Sequence, residues 1–133
     1  MKVKGLLVIP GQKVQKVRIP SNLKFIRRIV GKNLMRITLD EDTILLFDKN
    51  AKKDDFNRVL GSHIINGTFF IIGVKNKHRV SLKRKAIRKY TNMFKLEKHT
   101  KRINQYKEEY LIKKFIGDVI NYEPIEQEEL KAA

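Results

Sequence analysis

The residues best placed to do chemistry together are the lysines and arginines between Lys75 and Arg102. Twelve cations (Lys75, Lys77, Arg79, Lys83, Arg84, Lys85, Arg88, Lys89, Lys95, Lys98, Lys101 and Arg102) are opposed there only by Glu97. On a helix Arg84 and Arg88 stand one turn apart, as do Lys85 and Lys89, so each pair can meet neighbouring phosphates. A like-charged pair at this spacing costs a helix a few tenths of a kcal/mol. Two such pairs without an acidic foil therefore favour a polyanionic ligand over a merely solvated face. Such contacts position a nucleic-acid backbone without reading its sequence, and few Asn or Gln stand nearby to read base edges. A second strip comprises Lys13, Lys16, Arg18, Lys24, Arg27 and Arg28. Whether the strips join depends on the fold. We expect the anion-binding set to be Lys77, Arg79, Lys83, Arg84, Lys85, Arg88, Lys89 and Lys95, with Arg27 and Arg28 from the second strip.

Other chemistries find less support. His63, His78 and His99 have no metal-ligand spacing to one another. Asp40, Glu41, Asp42, Asp48, Asp54 and Asp55 read as turn and loop residues, not as a magnesium site. The chain has no glycine-rich phosphate loop, nucleophile elbow or Walker-type lysine. Its lack of cysteine excludes disulfides, thiolate zinc sites and cysteine nucleophiles. The expectation is a non-enzymatic protein without metal or cofactor. Asn57 and Arg58 form the most notable polar pair outside the basic strips. The expected roles are structural, with Asn57 satisfying loop backbone and Arg58 pairing with Asp54 or Asp55. Tyr90 and Phe94 lie on the apolar side of their segment and belong to the core. Phe69 and Phe70 point to opposite faces of a strand, where one of them could act as a stacking platform for single strands.

The bulk numbers agree with an anionic partner. Lys and Arg number 30 against 14 Asp and Glu, a formal net charge of +16. Such a charge keeps a protein soluble but repels itself, and a polyanion relieves it. The plainer alternative is a solvated surface shaped by a lysine-rich, AT-rich genome. With 133 residues, 41% of them hydrophobic, the chain can bury one core. The apolar run Leu6 to Ile9 is too short for a signal-peptide core and stops at Pro10-Gly11. No stretch approaches the ~18 apolar residues of a membrane span. Cytoplasm is the expected compartment, that of the host cell if the protein is phage-encoded.

The elements follow from the period of the apolar residues. Val3 to Ile9 reads as a strand, Pro10-Gly11 as a turn, and Lys13 to Ile19 as a half-buried strand with Val14 out of phase, which suggests a bulge. Ser21 is a candidate cap for a helix with Leu23, Ile26, Ile29 and Val30 on one side and Gly31 as its left-handed stop. Met35, Ile37 and Leu39 alternate with Arg36 and Thr38, and Thr43 to Phe47 suits a central strand. A polar loop follows through Asp55, then Phe56-Asn57-Arg58 and a turn at Gly61. Ile64 to Val74 is the most strand-like segment, with Asn66-Gly67 as either a tight turn or a bulge. Helical periodicity begins at Ser81, a candidate cap, with Leu82, Ala86, Ile87, Tyr90, Met93 and Phe94 on one side. A second helix is expected from about Lys101 to Ile120. The predicted class is α+β: a small, twisted, mainly antiparallel sheet of about five strands, a short helix near residues 21–30, and two C-terminal helices. Residues 1–96 would form the domain, 97–122 a helical extension, and 123–133 an acidic tail able to mask the basic helix.

From Phe56 to Phe94 the pattern resembles a known family. Asn57-Arg58-Val59-Leu60, then Ile64-Ile65-Asn66-Gly67-Thr68-Phe69-Phe70, then Ser81-Leu82 ahead of Tyr90 and Phe94 look like a small domain family of unknown function found in bacteria and in their phages and plasmids. Its members also open with an M-K-V strand ending in Pro and carry a short helix followed by glycine, as at Val30-Gly31. The resemblance covers roughly residues 1–96. It implies an α+β domain of mobile-element origin and no particular chemistry. This chain departs from the family where Lys83-Arg84-Lys85 replace a usually acidic helix start, and in its C-terminal extension. The leading expectation is an accessory protein of a phage or plasmid that grips the backbone of DNA or RNA. The next is a counter-defence inhibitor of a host protein, followed by a protein that sequesters an anionic nucleotide. No membrane partner is expected, and oligomeric state is not legible.

Overall fold

The computed structural model describes residues 1–120, with side chains to Ile116. The acidic segment from Glu123 onward and its expected masking role lie outside the described residues. In chain order the elements are β1 (Lys2–Val8), β2 (Gln15–Pro20), α1 (Leu23–Val30), β3 (Leu34–Asp40), β4 (Thr43–Asp48), β5 (Phe56–Leu60), β6 (His63–Asn66), β7 (Phe69–Lys75), β8 (His78–Val80), α2 (Arg84–Met93) and α3 (Leu96–Ile120). The fold is α+β, as the patterning predicts.

The apolar runs take the centre of the main sheet because they can be buried on both faces. Its path runs β2-β1-β7-β4-β3, antiparallel throughout, and β8 pairs with β7 beyond the reach of β1. On one face Leu6, Val8, Leu45, Phe69 and Ile71 pack with Leu82, Tyr90 and Phe94. On the other, Val3, Ile19, Ile44, Leu46, Phe70 and Ile72 pack under Ile26 of α1. The sheet thus separates α1 from α2. Phe69 and Phe70 do face opposite ways, but both are fully buried, so neither is a stacking platform.

Several local expectations change. Val14 precedes β2, whose pairing with β1 is regular from Lys2↔Pro20 to Leu7↔Gln15, so its phase needs no bulge. The cap of α1 is Asn22, not Ser21: Asn22 Oδ1 accepts from Phe25 N–H at 2.8 Å. Gly31 does end α1, at φ 147°, and a Cβ there would run into the Asp48 carboxylate. Asn66-Gly67 is neither hairpin nor bulge. The chain leaves the small β5–β6 sheet there and crosses to β7, with Gly67 at φ 73° and its N–H on Asp55 O at 2.7 Å. Phe56-Asn57-Arg58, to which the periodicity gives no element, opens β5. The short β8 returns through a two-residue turn, Asn76-Lys77, with both φ values positive, the form that suits twisted hairpins.

α3 begins at Leu96, ahead of the expected Lys101. Its first half packs on β5 through His99, Ile103, Tyr106 and Tyr110, with the Tyr110 ring edge-on to Phe56 at 5.9 Å between centroids. After Tyr110 the apolar residues shift to the opposite side of the helix, at 100° per residue. Leu111, Ile112, Phe115 and Ile116 are all more than half exposed.

Candidate nucleic-acid interface

Hydrogen bonds and packing fix the position of α2. Leu82 N–H donates to Lys4 O at 2.9 Å, and Lys4 N–H donates to Ser81 Oγ at 2.8 Å, which seats the start of the helix beside β1. Ser81 is thereby committed to β1 and does not cap the helix. Lys83 holds the cap position without a side-chain bond, and no acid stands in the first turn. In the middle, Tyr90 OH donates to the Asp40 carboxylate. Burial alone would raise the Asp40 pKa, but hydrogen bonds from Tyr90, Asp42 N–H and Thr43, with the charge of Lys89, outweigh it and hold the group below its ordinary value. At the far end Phe94 packs edge-on against Phe69 at 5.2 Å. Lys83, Arg84, Lys85, Arg88 and Lys89 are left exposed.

The two cationic pairs occupy opposite flanks of α2. Ala86, Ile87 and Tyr90 turn inward, so helical spacing sends Arg84 and Arg88 to one flank and Lys85 and Lys89 to the other. Lys85 and Lys89 border a groove against the β3–β4 turn. The Arg84/Arg88 flank therefore faces β1 and β2, where the pleat adds further cations. Leu6 packs beneath α2 and its cross-strand partner is Lys16; two residues along, Lys4 is paired with Arg18. Residues alternate faces along a strand and cross-strand partners share one, so Lys4, Lys16 and Arg18 stand on the α2 side. All three are exposed.

The expected second strip does not stay together. Val17 and Ile19 pack toward α1, which turns the intervening Arg18 to the α2 side. Lys24, Arg27 and Arg28 ride on the exposed side of α1, across the sheet. Arg79 also faces α1, because its partner Val74 packs there; its Nε donates to Ser21 O at 2.6 Å. Lys77 sits at the β7–β8 turn and Lys95 in the link between α2 and α3. Lys4 lies outside the expected anion-binding set, and its signal in the sequence is the alternation Lys2-Val3-Lys4-Gly5. Among the described residues the sole ion pair is Lys83–Asp42, at 4.0 Å and well exposed at both ends. A pair of that kind contributes little.

Asn57 and Arg58 are structural in a way their sequence neighbours do not suggest. Asn57 Nδ2 donates to Val8 O at 2.8 Å and to Gly67 O at 2.7 Å. Arg58 is fully buried and does not pair with Asp54 or Asp55. Its Nε donates to Phe94 O at 2.8 Å, and its two terminal nitrogens to Asn57 Oδ1 at 2.9 Å and Gln12 O at 2.5 Å. Burial lowers its pKa and the charge of Glu97 partly opposes this. An arginine nonetheless stays protonated.

His99 carries a second buried tie. Its Nδ1 accepts from Val59 N–H at 3.0 Å, so Nε2 bears the proton it donates to Met93 O at 2.8 Å. Burial lowers its pKa below 6.5; the Met93 carbonyl opposes this, while Arg58, Arg102 and Lys98 reinforce it. The folded state thus favours the neutral ring. Its stabilisation is complete above the ordinary pKa of 6.5 and declines as pH falls toward the lower folded value. Thermal melts should show the melting temperature dropping over that interval. His99→Gln keeps an acceptor and a donor and should flatten the drop; an unchanged pH profile would contradict this role.

Residues 1–95 match the family model described as Domain of unknown function (DUF3846). The chain belongs to that family. No curated protein and no solved structure matches it. Within the segment that matches DUF3846, several polar side chains build the fold: Asn57 holds Gly67 O, Arg58 holds Phe94 O, and Tyr90 anchors α2 to Asp40. Among the described residues, no helix is long and apolar enough to cross a membrane and no group of three or more His, Asp or Glu is placed to hold a metal ion.

Proposed function

We propose that this protein binds nucleic acid non-enzymatically, gripping backbone phosphates between the Arg84/Arg88 flank of α2 and the exposed surface of β1 and β2. A role as an accessory factor of a phage or other mobile element accompanies this reading. One observation carries it: Lys4, Lys16, Arg18, Arg84 and Arg88 share a side of the sheet, are exposed, and form no ion pair among the described residues. The cationic start of α2 is unfavourable for an isolated helix and becomes favourable beside a phosphate chain.

The test is a salt titration of binding to short DNA and RNA oligonucleotides. About five phosphate contacts imply a loss of roughly 10²–10³-fold in affinity between about 50 and 200 mM salt. Absence of binding at the low end, or affinity indifferent to salt, would refute the proposal. A host-protein inhibitor is the second reading, favoured by the exposed Leu111, Ile112, Phe115 and Ile116 on α3. It expects no appreciable nucleic-acid affinity in the same titration.

A further inference from the structure

On the other flank of α2 lies a groove of about 380 Å³, toward the lower end of the range for ligand pockets. Its floor is apolar, made by Val80, Leu82 and Ala86. Lys85 and Lys89 of α2 border it opposite Glu41 and Asp42 of the β3–β4 turn, and Lys75 and Lys83 complete the charged lining. Asp40, beside them, is already engaged by Tyr90 OH and Asp42 N–H. The carboxylates of Glu41 and Asp42 accept no hydrogen bond among the described residues, and Asp42 has only the long contact to Lys83.

These three chemistries suit a ligand that combines an apolar body, N–H donors and an anionic group. A bare phosphate would meet two carboxylates, and a wholly apolar molecule would use neither wall. A nucleotide uses all of them: the base lies on the apolar floor, its N–H edge donates to a carboxylate, and its phosphate meets the ammonium groups. Guanine suits the acidic wall best, because its adjacent N1–H and N2–H donors match the two oxygens of one carboxylate. The geometry points to a guanine nucleotide seated in this groove, its base unstacked from a single strand whose flanking phosphates run over α2. This deepens the nucleic-acid reading and rests on it.

Fluorescence anisotropy at one fixed salt concentration, with an all-thymine strand and the same strand carrying one central guanine, tests the inference. The protein should bind the guanine strand about tenfold more tightly. In Glu41→Gln/Asp42→Asn the preference should vanish, while the added positive charge tightens binding to both strands. Both residues are exposed, and a thermal melt of the variant checks that its fold is kept. Equal affinity of the unaltered protein for the two strands, or a preference surviving in the variant, overturns the groove assignment. Equal but salt-sensitive binding would leave the phosphate-gripping face standing, whereas no binding to any strand would remove both. Free guanosine monophosphate raising the melting temperature, with no difference between strands, would overturn the strand-borne ligand in favour of a soluble one.

Discussion

Arg58→Met should lower the free energy of unfolding by about 3–4 kcal/mol. The substitution keeps an apolar stem but strands Phe94 O, Gln12 O and Asn57 Oδ1, each without the donor that now satisfies it. A buried acceptor left unpaired costs about 1–3 kcal/mol. Some of that loss is recovered because a buried cation no longer has to be desolvated. The three acceptors belong to the α2–α3 link, the β1–β2 loop and β5, so their release loosens three elements together. Arg58→Lys should fare little better, since one ammonium does not reproduce the planar fork that reaches all three. Urea unfolding followed by circular dichroism measures the change, and a loss under about 1 kcal/mol would show that water replaces the network without penalty.

Gly5→Ala should also be severe, costing about 3 kcal/mol. Gly5 is buried in β1, and an added Cβ would meet the Phe70 ring and lie 2.6 Å from Ile71 O. Turning the ring relieves only part of the clash, because the carbonyl is backbone of the neighbouring central strand β7. Relief therefore requires β1 to move away from β7 and to disturb the pairing of Leu6 with Ile71. The expected readout is a fall in the urea midpoint with an unchanged slope. A midpoint equal to that of the unaltered protein would contradict the close approach of the two strands.

The sequence revealed those elements whose apolar period is local. β1, β4, α1 and α2 read directly, because each buries one regular face or lies wholly inside; β3 reads from its alternation, although Met35 stays exposed. β5 was hidden because Asn57 and Arg58, polar residues that argue for a loop, are buried by carbonyl acceptors supplied from distant segments. β8 is three residues long, too short to display a period. α3 was placed too far along the chain because His99, at its start, reads as a surface residue yet is buried between β5 and the end of α2.

The candidate site was half legible for a related reason. The paired spacing of Arg84 with Arg88 and of Lys85 with Lys89 is a property of one helix. The division of the second strip follows from the side of the sheet on which α1 packs, and the addition of Lys4 follows from the register of β1 against β2. Neither fact is local. Lys77, Arg79 and Lys95 were grouped with α2 by proximity in sequence, but the β7–β8 turn, the Ser21 contact and the α2–α3 link set them apart.

A comparison of two double charge reversals decides whether a cationic face exists. Arg84→Glu/Arg88→Glu and Arg27→Glu/Arg28→Glu change the net charge equally, and both act on exposed helical residues. They differ in the side of the sheet they alter. At one fixed salt concentration the first variant should lose affinity for a short DNA or RNA strand by about 100-fold, and the second by less than about fivefold. Equal losses would mean that binding follows total charge alone, with no localised face on α2 and the β1–β2 surface.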